Sequence, residues 1–107
     1  ITDRNERKEY YLALIKDYLK AVKISDSVSF YNDLGVYFAD QGLFQAAVVS
    51  FKRSLELNPQ YSDAYFNLGL AYWNLGRKRE ATLAFKRTVA INPNHLRAKD
   101  FLSEFIK

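Results

Sequence analysis

An all-α array of stacked helical hairpins is the fold this sequence predicts, and three observations carry the prediction. The first is a lattice: the chain holds only four Gly and two Pro, and Gly35, Gly42 and Pro59 return at Gly69, Gly76 and Pro93, each 34 residues on. The second is a duplication, in which residues 28–61 align with 62–95. The identical pairs are Tyr31/Tyr65, Leu34/Leu68, Gly35/Gly69, Gly42/Gly76, Ala47/Ala81, Phe51/Phe85, Lys52/Lys86, Arg53/Arg87, Asn58/Asn92 and Pro59/Pro93. The third is helical spacing within each copy, with apolar residues three and four apart. A self-similar period of this length is the signature of a repeat architecture.

The segment before the lattice predicts one long helix, roughly 5–24, with Tyr11, Leu14, Ile15, Tyr18 and Val22 as its apolar stripe. It lacks the Gly and Pro signals, and Tyr18–Ile24 resembles Phe51–Leu57, so it reads as the second helix of a degraded repeat. Leu12 and Leu19 fall on another side, which is either sticky and exposed or folded onto neighbouring helices. Each full copy then predicts two helices. The first spans roughly 28–41 and 62–75, with Tyr31, Leu34, Phe38 and Tyr65, Leu68, Tyr72 facing inward. Gly42 and Gly76 sit where a helix closes in the left-handed conformation. The second spans roughly 44–57 and 78–91, with Ala47, Phe51, Leu55 and Ala81, Phe85, Val89 as its buried stripe. Asn-Pro ends it, because Pro lacks the next N–H and restricts the residue before it. Residues 96–107 predict a terminal helix with Ala98, Leu102, Phe105 and Ile106 apolar and Ser103 at the Gly position, in the manner of an array cap.

These motifs make the chain resemble the tetratricopeptide repeat family. The family's pattern of an aromatic residue, Leu-Gly, a second aromatic, Ala-x-x-x-Phe and Pro is matched by Tyr31, Leu34-Gly35, Phe38, Ala47, Phe51 and Pro59. It is matched again by Tyr65, Leu68-Gly69, Tyr72, Ala81, Phe85 and Pro93. The resemblance implies a right-handed superhelix of about six helices. Its expected divisions are an N-terminal helix over 1–27, repeats over 28–61 and 62–95, and a cap over 96–107. Gly35 and Gly69 lie mid-helix, where Gly costs about 1 kcal/mol against Ala. That cost points to close helix approach, with Ala47 and Ala81 opposite.

Composition narrows the functional classes. A chain of 107 residues and 12.5 kDa holds one domain, and 49% hydrophobic with 26% charged residues is an ordinary globular balance. No apolar run reaches the roughly 20 residues of a membrane-spanning helix. The charged start, Ile1–Arg7, is unlike a signal peptide, and a chain opening on Ile is expected to be a fragment or a processed product. Without Cys there is no disulfide or thiolate metal site; the same absence suits oxidising and reducing compartments alike, so the compartment stays open, with the cytoplasm slightly favoured. A lone His95, read as a surface turn residue, leaves no His-based triad or metal site. No Gly-rich phosphate loop is present, and the acidic residues are scattered. The expectation is therefore a non-catalytic protein without cofactors.

The resemblance implies that the first helix of each repeat lines an inner groove that holds a protein or peptide partner. The groove positions carried onto this chain are Asn32, Val36, Ala39 and Asp40, then Asp63, Phe66, Asn67, Leu70, Trp73 and Asn74. The terminal helix adds Arg97, Asp100 and Glu104. Phe66, Leu70 and Trp73 share one helix face, which is either a binding strip for apolar side chains or a face covered by a flanking helix. Asn32, Asn67 and Asn74 are expected to hold a ligand's backbone. One subset of the family clamps a C-terminal carboxylate. Of its residues only Asn67 and, by substitution, Arg97 are present, so a mixed or apolar peptide is the expected ligand. Two alternatives remain: a homo-oligomer built through the N-terminal helix or the array ends, and an anionic surface meeting the outer ridge of Lys52, Arg53, Lys86, Arg87 and Arg77-Lys78-Arg79. No aromatic residues interleave with that ridge, so nucleic acid is not expected, and no membrane is required.

Overall fold

A computed structural model describes residues 9, 10, 12, 13 and 27–105. Within residues 27–105 lie five helices: α1 (Val28–Asp40), α2 (Phe44–Leu57), α3 (Ser62–Asn74), α4 (Lys78–Ile91) and α5 (Leu96–Phe105). Most of the helix expected over 5–24 lies outside the described residues. Glu9, Tyr10, Leu12 and Ala13 are helical, and Leu12 is half-buried against the core. Leu19 lies outside them.

Local chemistry sets the boundaries. Ser27 caps α1 by accepting the Phe30 N–H at 3.4 Å, as an N-cap hydroxyl does. The α1 exit is a Schellman motif. The Leu43 N–H reaches the Phe38 carbonyl and the Gly42 N–H the Ala39 carbonyl, both at 2.9 Å, with Gly42 at φ 76°. The second repeat copies it, with Arg77 N–H to Tyr72 and Gly76 N–H to Trp73 at 2.9 and 3.0 Å. After α2 and α4 the Asn58 and Asn92 side chains accept the N–H of Gln60 and Asn94 at 3.0 and 3.2 Å. These Asx turns steer the chain past each Pro into the next helix.

Each helix packs on its successor, and α1 also touches α3. The core runs along the seam between the first and second helices of the repeats. Phe51 and Phe85 are each 1% exposed, and each ring lies directly across from a mid-helix glycine, Gly35 and Gly69. This is the close approach the sequence predicts, although the partner filling it is the phenylalanine ring rather than Ala47 or Ala81. Ala47 and Ala81 are themselves fully buried. The buried hydroxyls are bonded: Ser54 donates to the Val28 carbonyl at 2.7 Å, and Thr88, its counterpart, to Ala84 at 2.9 Å. Among the described residues no buried side-chain polar atom lacks a partner.

Candidate functional site

The first helices place one face of each repeat side by side. Between α1 and α3 lies a hollow of about 230 Å³ lined by Val36, Ala39, Asp40, Asn67, Leu70 and Asn74, with Phe44, Phe51 and Ala71 completing it. The lining recurs at helical spacing, Val36-Ala39-Asp40 and Asn67-Leu70-Asn74, so one stripe of each helix builds it. Val36 is 38% exposed, and Asp40 and Asn74 are exposed. Six expected groove residues therefore meet around one depression.

A polar network fixes the amides. Asn32 is buried, and its Oδ1 accepts from Asn67 Nδ2 at 3.0 Å. Burial, then the nearby charges of Asp63 and Asp33, push the Tyr61 phenol above its ordinary value. Asn74 Nδ2 donates to the Leu70 carbonyl at 2.8 Å. Asn32 thus supports Asn67 from below, whereas the sequence expectation gave it a direct place on the ligand.

Other expected residues fall elsewhere. Phe66 is 4% exposed. Its ring packs on Phe85, His95 and Phe101 at centroid distances of 5.6, 4.6 and 6.1 Å, and the Arg97 guanidinium lies over it at 4.8 Å. Of the two readings of this strip, coverage by the terminal helix is the one that holds at Phe66. Its ring is core, and a ligand reaches it only by displacing α5. Trp73 is half-buried against the core with the Lys78 ammonium 5.4 Å from its ring centre, and it does not line the hollow. Asp63 is exposed in the first turn of α3, where a carboxylate also suits the helix dipole. Arg97, Asp100, Phe101 and Glu104 border a second hollow, of about 320 Å³, along α5.

His95 departs from its reading as a plain surface residue. It is half-buried, and its Nδ1 accepts the Ala98 N–H at 3.2 Å. It therefore caps α5 while its ring covers Phe66. The signal was present in its position one residue before the terminal helix, but His is not among the common N-caps.

Of the basic residues expected along an outer ridge, Lys52, Arg53, Lys78 and Arg87 lie over aromatic rings. Arg53 sits over Tyr31 at 5.6 Å and Arg87 over Tyr65 at 5.4 Å, a contact repeated with the period of the array. Lys52 lies 5.9 Å from the Tyr72 ring centre. An apolar hollow of about 230 Å³ between α3 and α4 has the exposed Leu83 at its edge. Among the described residues no His, Cys, Asp or Glu cluster of metal-binding size occurs, and no helix is long and apolar enough to cross a membrane.

Paired helices, glycine–phenylalanine seams and a shared inner stripe define a helical-repeat interaction scaffold. The sequence model described as TPR repeat matches residues 37–76, and that of the tetratricopeptide repeat matches 62–95. Together they span more than half the chain, which belongs to the tetratricopeptide repeat family. No curated protein matches it. Two crystal structures of MamA are similar to it. One superposes with a TM-score of 0.78 at 29% identity, covering 94% of this chain and 56% of that one. The other gives 0.72 at 27% identity, with 92% and 58% covered. The chain thus spans little more than half the length of the MamA chains it matches.

Proposed function

We propose that the chain is a non-catalytic module that holds a segment of a partner protein against its inner stripe, with the hollow between α1 and α3 as the anchor site. The observation that carries this reading is the convergence of Val36, Ala39 and Asp40 with Asn67, Leu70 and Asn74 on one open depression. The apolar members supply contact area, and the amides and carboxylate set direction and register. Phe66, Asn32 and His95 act beneath the surface by holding α3 and α5 in place, and Asp63 and Arg97 flank the contact.

Capture of the partner by immobilised protein tests the proposal. Val36→Trp fills the hollow at an exposed position, and Leu83→Ser removes the exposed apolar residue of the outer side. Val36→Trp is expected to abolish capture and Leu83→Ser to leave it intact, with both variants folded by circular dichroism. Capture that survives Val36→Trp and fails with Leu83→Ser would move the site to the outer face.

A further inference from the structure

We infer that the hollow between α1 and α3 receives an arginine or lysine side chain of the partner's segment, an inference that rests on the groove reading above. The first ground is charge segregation. The chain is cationic overall, at +4, yet α1 and α3 carry Asp33, Asp40 and Asp63 and no Lys or Arg. Within the two repeats the cations lie on α2, α4 and the turn before α4; α5 carries Arg97 and Lys99. The charges on the two helices that build the hollow are thus all acidic, with Arg97 of α5 at the flank over Phe66, which favours a cationic segment over an anionic one at the hollow itself.

The second ground is that, among the described residues, no cation pairs with these carboxylates. Among the described residues the ion pairs are Arg53–Glu56 and Arg77–Glu80, at 2.9 and 3.4 Å, both away from the inner stripe. Asp63 and Asp33 also add to the effect of burial in raising the Tyr61 phenol.

The third ground is hydrogen-bond capacity. Asn67 and Asn74 each commit an N–H inside the protein, to Asn32 and to the Leu70 carbonyl. What they keep with full capacity are their Oδ1 atoms, which join the Asp40 carboxylate as acceptors. Each amide also keeps its second N–H, but the two Oδ1 atoms and the two Asp40 carboxylate oxygens leave acceptors in excess, so a donor-rich group suits the site best. Guanidinium and ammonium groups are donors only, and their aliphatic stems suit Val36, Ala39 and Leu70. About 230 Å³ is room for one long side chain, several times the roughly 30 Å³ share of a water molecule. A second copy of this chain is a poorer occupant, because Lys52, Arg53, Lys78 and Arg87 lie over its own aromatic rings.

The test uses the full chain, labelled with nitrogen-15 and titrated with short peptides of repeated Gly-Leu-Arg, Gly-Leu-Gln or Gly-Leu-Glu. The arginine peptide is expected to move the Asn67 and Asn74 side-chain amide signals and to weaken steeply with salt. Asp40→Asn is expected to weaken it about tenfold, the scale of one hydrogen bond to a charged group. The glutamate peptide is expected to leave these signals in place. Equal binding of the glutamine peptide at the same signals, or an unchanged affinity in Asp40→Asn, overturns the charge inference and leaves the groove reading standing. Shifts confined to α2 and α4 overturn both. Self-association in sedimentation that perturbs the Asn67 and Asn74 signals without peptide makes a second copy the occupant and also overturns the inference.

Discussion

Replacing Gly69 by Ala sets two known effects against each other, and the structure decides the sign. In an isolated helix the change stabilises by about 1 kcal/mol. Here the new Cβ stands 2.5, 2.7 and 3.0 Å from Cε1, Cδ1 and Cζ of Phe85, whereas carbon atoms rest about 3.5–4.0 Å apart. The ring has little room to retreat. It stacks on Phe101 at 4.9 Å with 12° between planes, and Phe66 lies 5.6 Å away. Overpacking of this kind costs about 1–3 kcal/mol, and three crowded ring atoms place it at the upper end. The net effect is a loss of about 2 kcal/mol, which at this chain length lowers Tm by about 8 °C. Thermal and urea unfolding followed by helical circular dichroism measure it. Phe85→Leu in the same chain should make Gly69→Ala less costly, giving a coupling of about 1 kcal/mol or more. Gly76 is the control: its added Cβ meets nothing within 4 Å and its φ is 77°. Ala there is expected to cost about 1–2 kcal/mol of backbone strain, with no relief from Phe85→Leu. An unchanged or raised Tm for Gly69→Ala would refute the seam argument.

Two further predictions follow from the flanks of the groove. His95→Ala removes the acceptor for Ala98 N–H and uncovers Phe66, so it should lower stability by about 1–2 kcal/mol and speed amide exchange first in α5. The Tyr61 phenol is held up by burial and by Asp63 and Asp33, so one of the eight tyrosines should ionise later than the rest in an absorbance titration, and Tyr61→Phe should remove that component. The sign for stability follows from the neutral form being favoured when folded. The contribution is complete below the ordinary phenol value of about 10 and is lost as pH rises through the folded value. The urea midpoint above that value should therefore fall less in Tyr61→Phe.

The fold was largely legible because each structural need had a residue type that meets it cheaply. Left-handed closure selects Gly42 and Gly76, the seam selects Gly35 and Gly69, and Asn-Pro ends a helix and starts an Asx turn. Spacing then placed Asn67, Leu70 and Asn74 on one face of α3. What spacing could not settle was what lies beyond that face. Phe66 and Leu70 look alike on a helical wheel, but α5 reaches the first with Phe101 and Arg97 and leaves the second open. Asn32 fell out of view for a related reason: an amide that bonds a neighbouring amide and one that bonds a ligand have the same sequence. The role of His95 was not legible although α5 begins at Leu96, the next residue, because His is not among the common N-caps and so gave no capping signal.

The central claim is that the stripe shared by α1 and α3 is the contact surface for a partner segment. Amide hydrogen exchange of the chain alone and in complex with its captured partner tests it most directly. Protection gained along α1 and α3 around Val36, Asp40, Asn67 and Asn74, with α2 and α4 unchanged, is the predicted result. Protection confined to the outer helices around Lys52, Leu83 and Arg87 would contradict it.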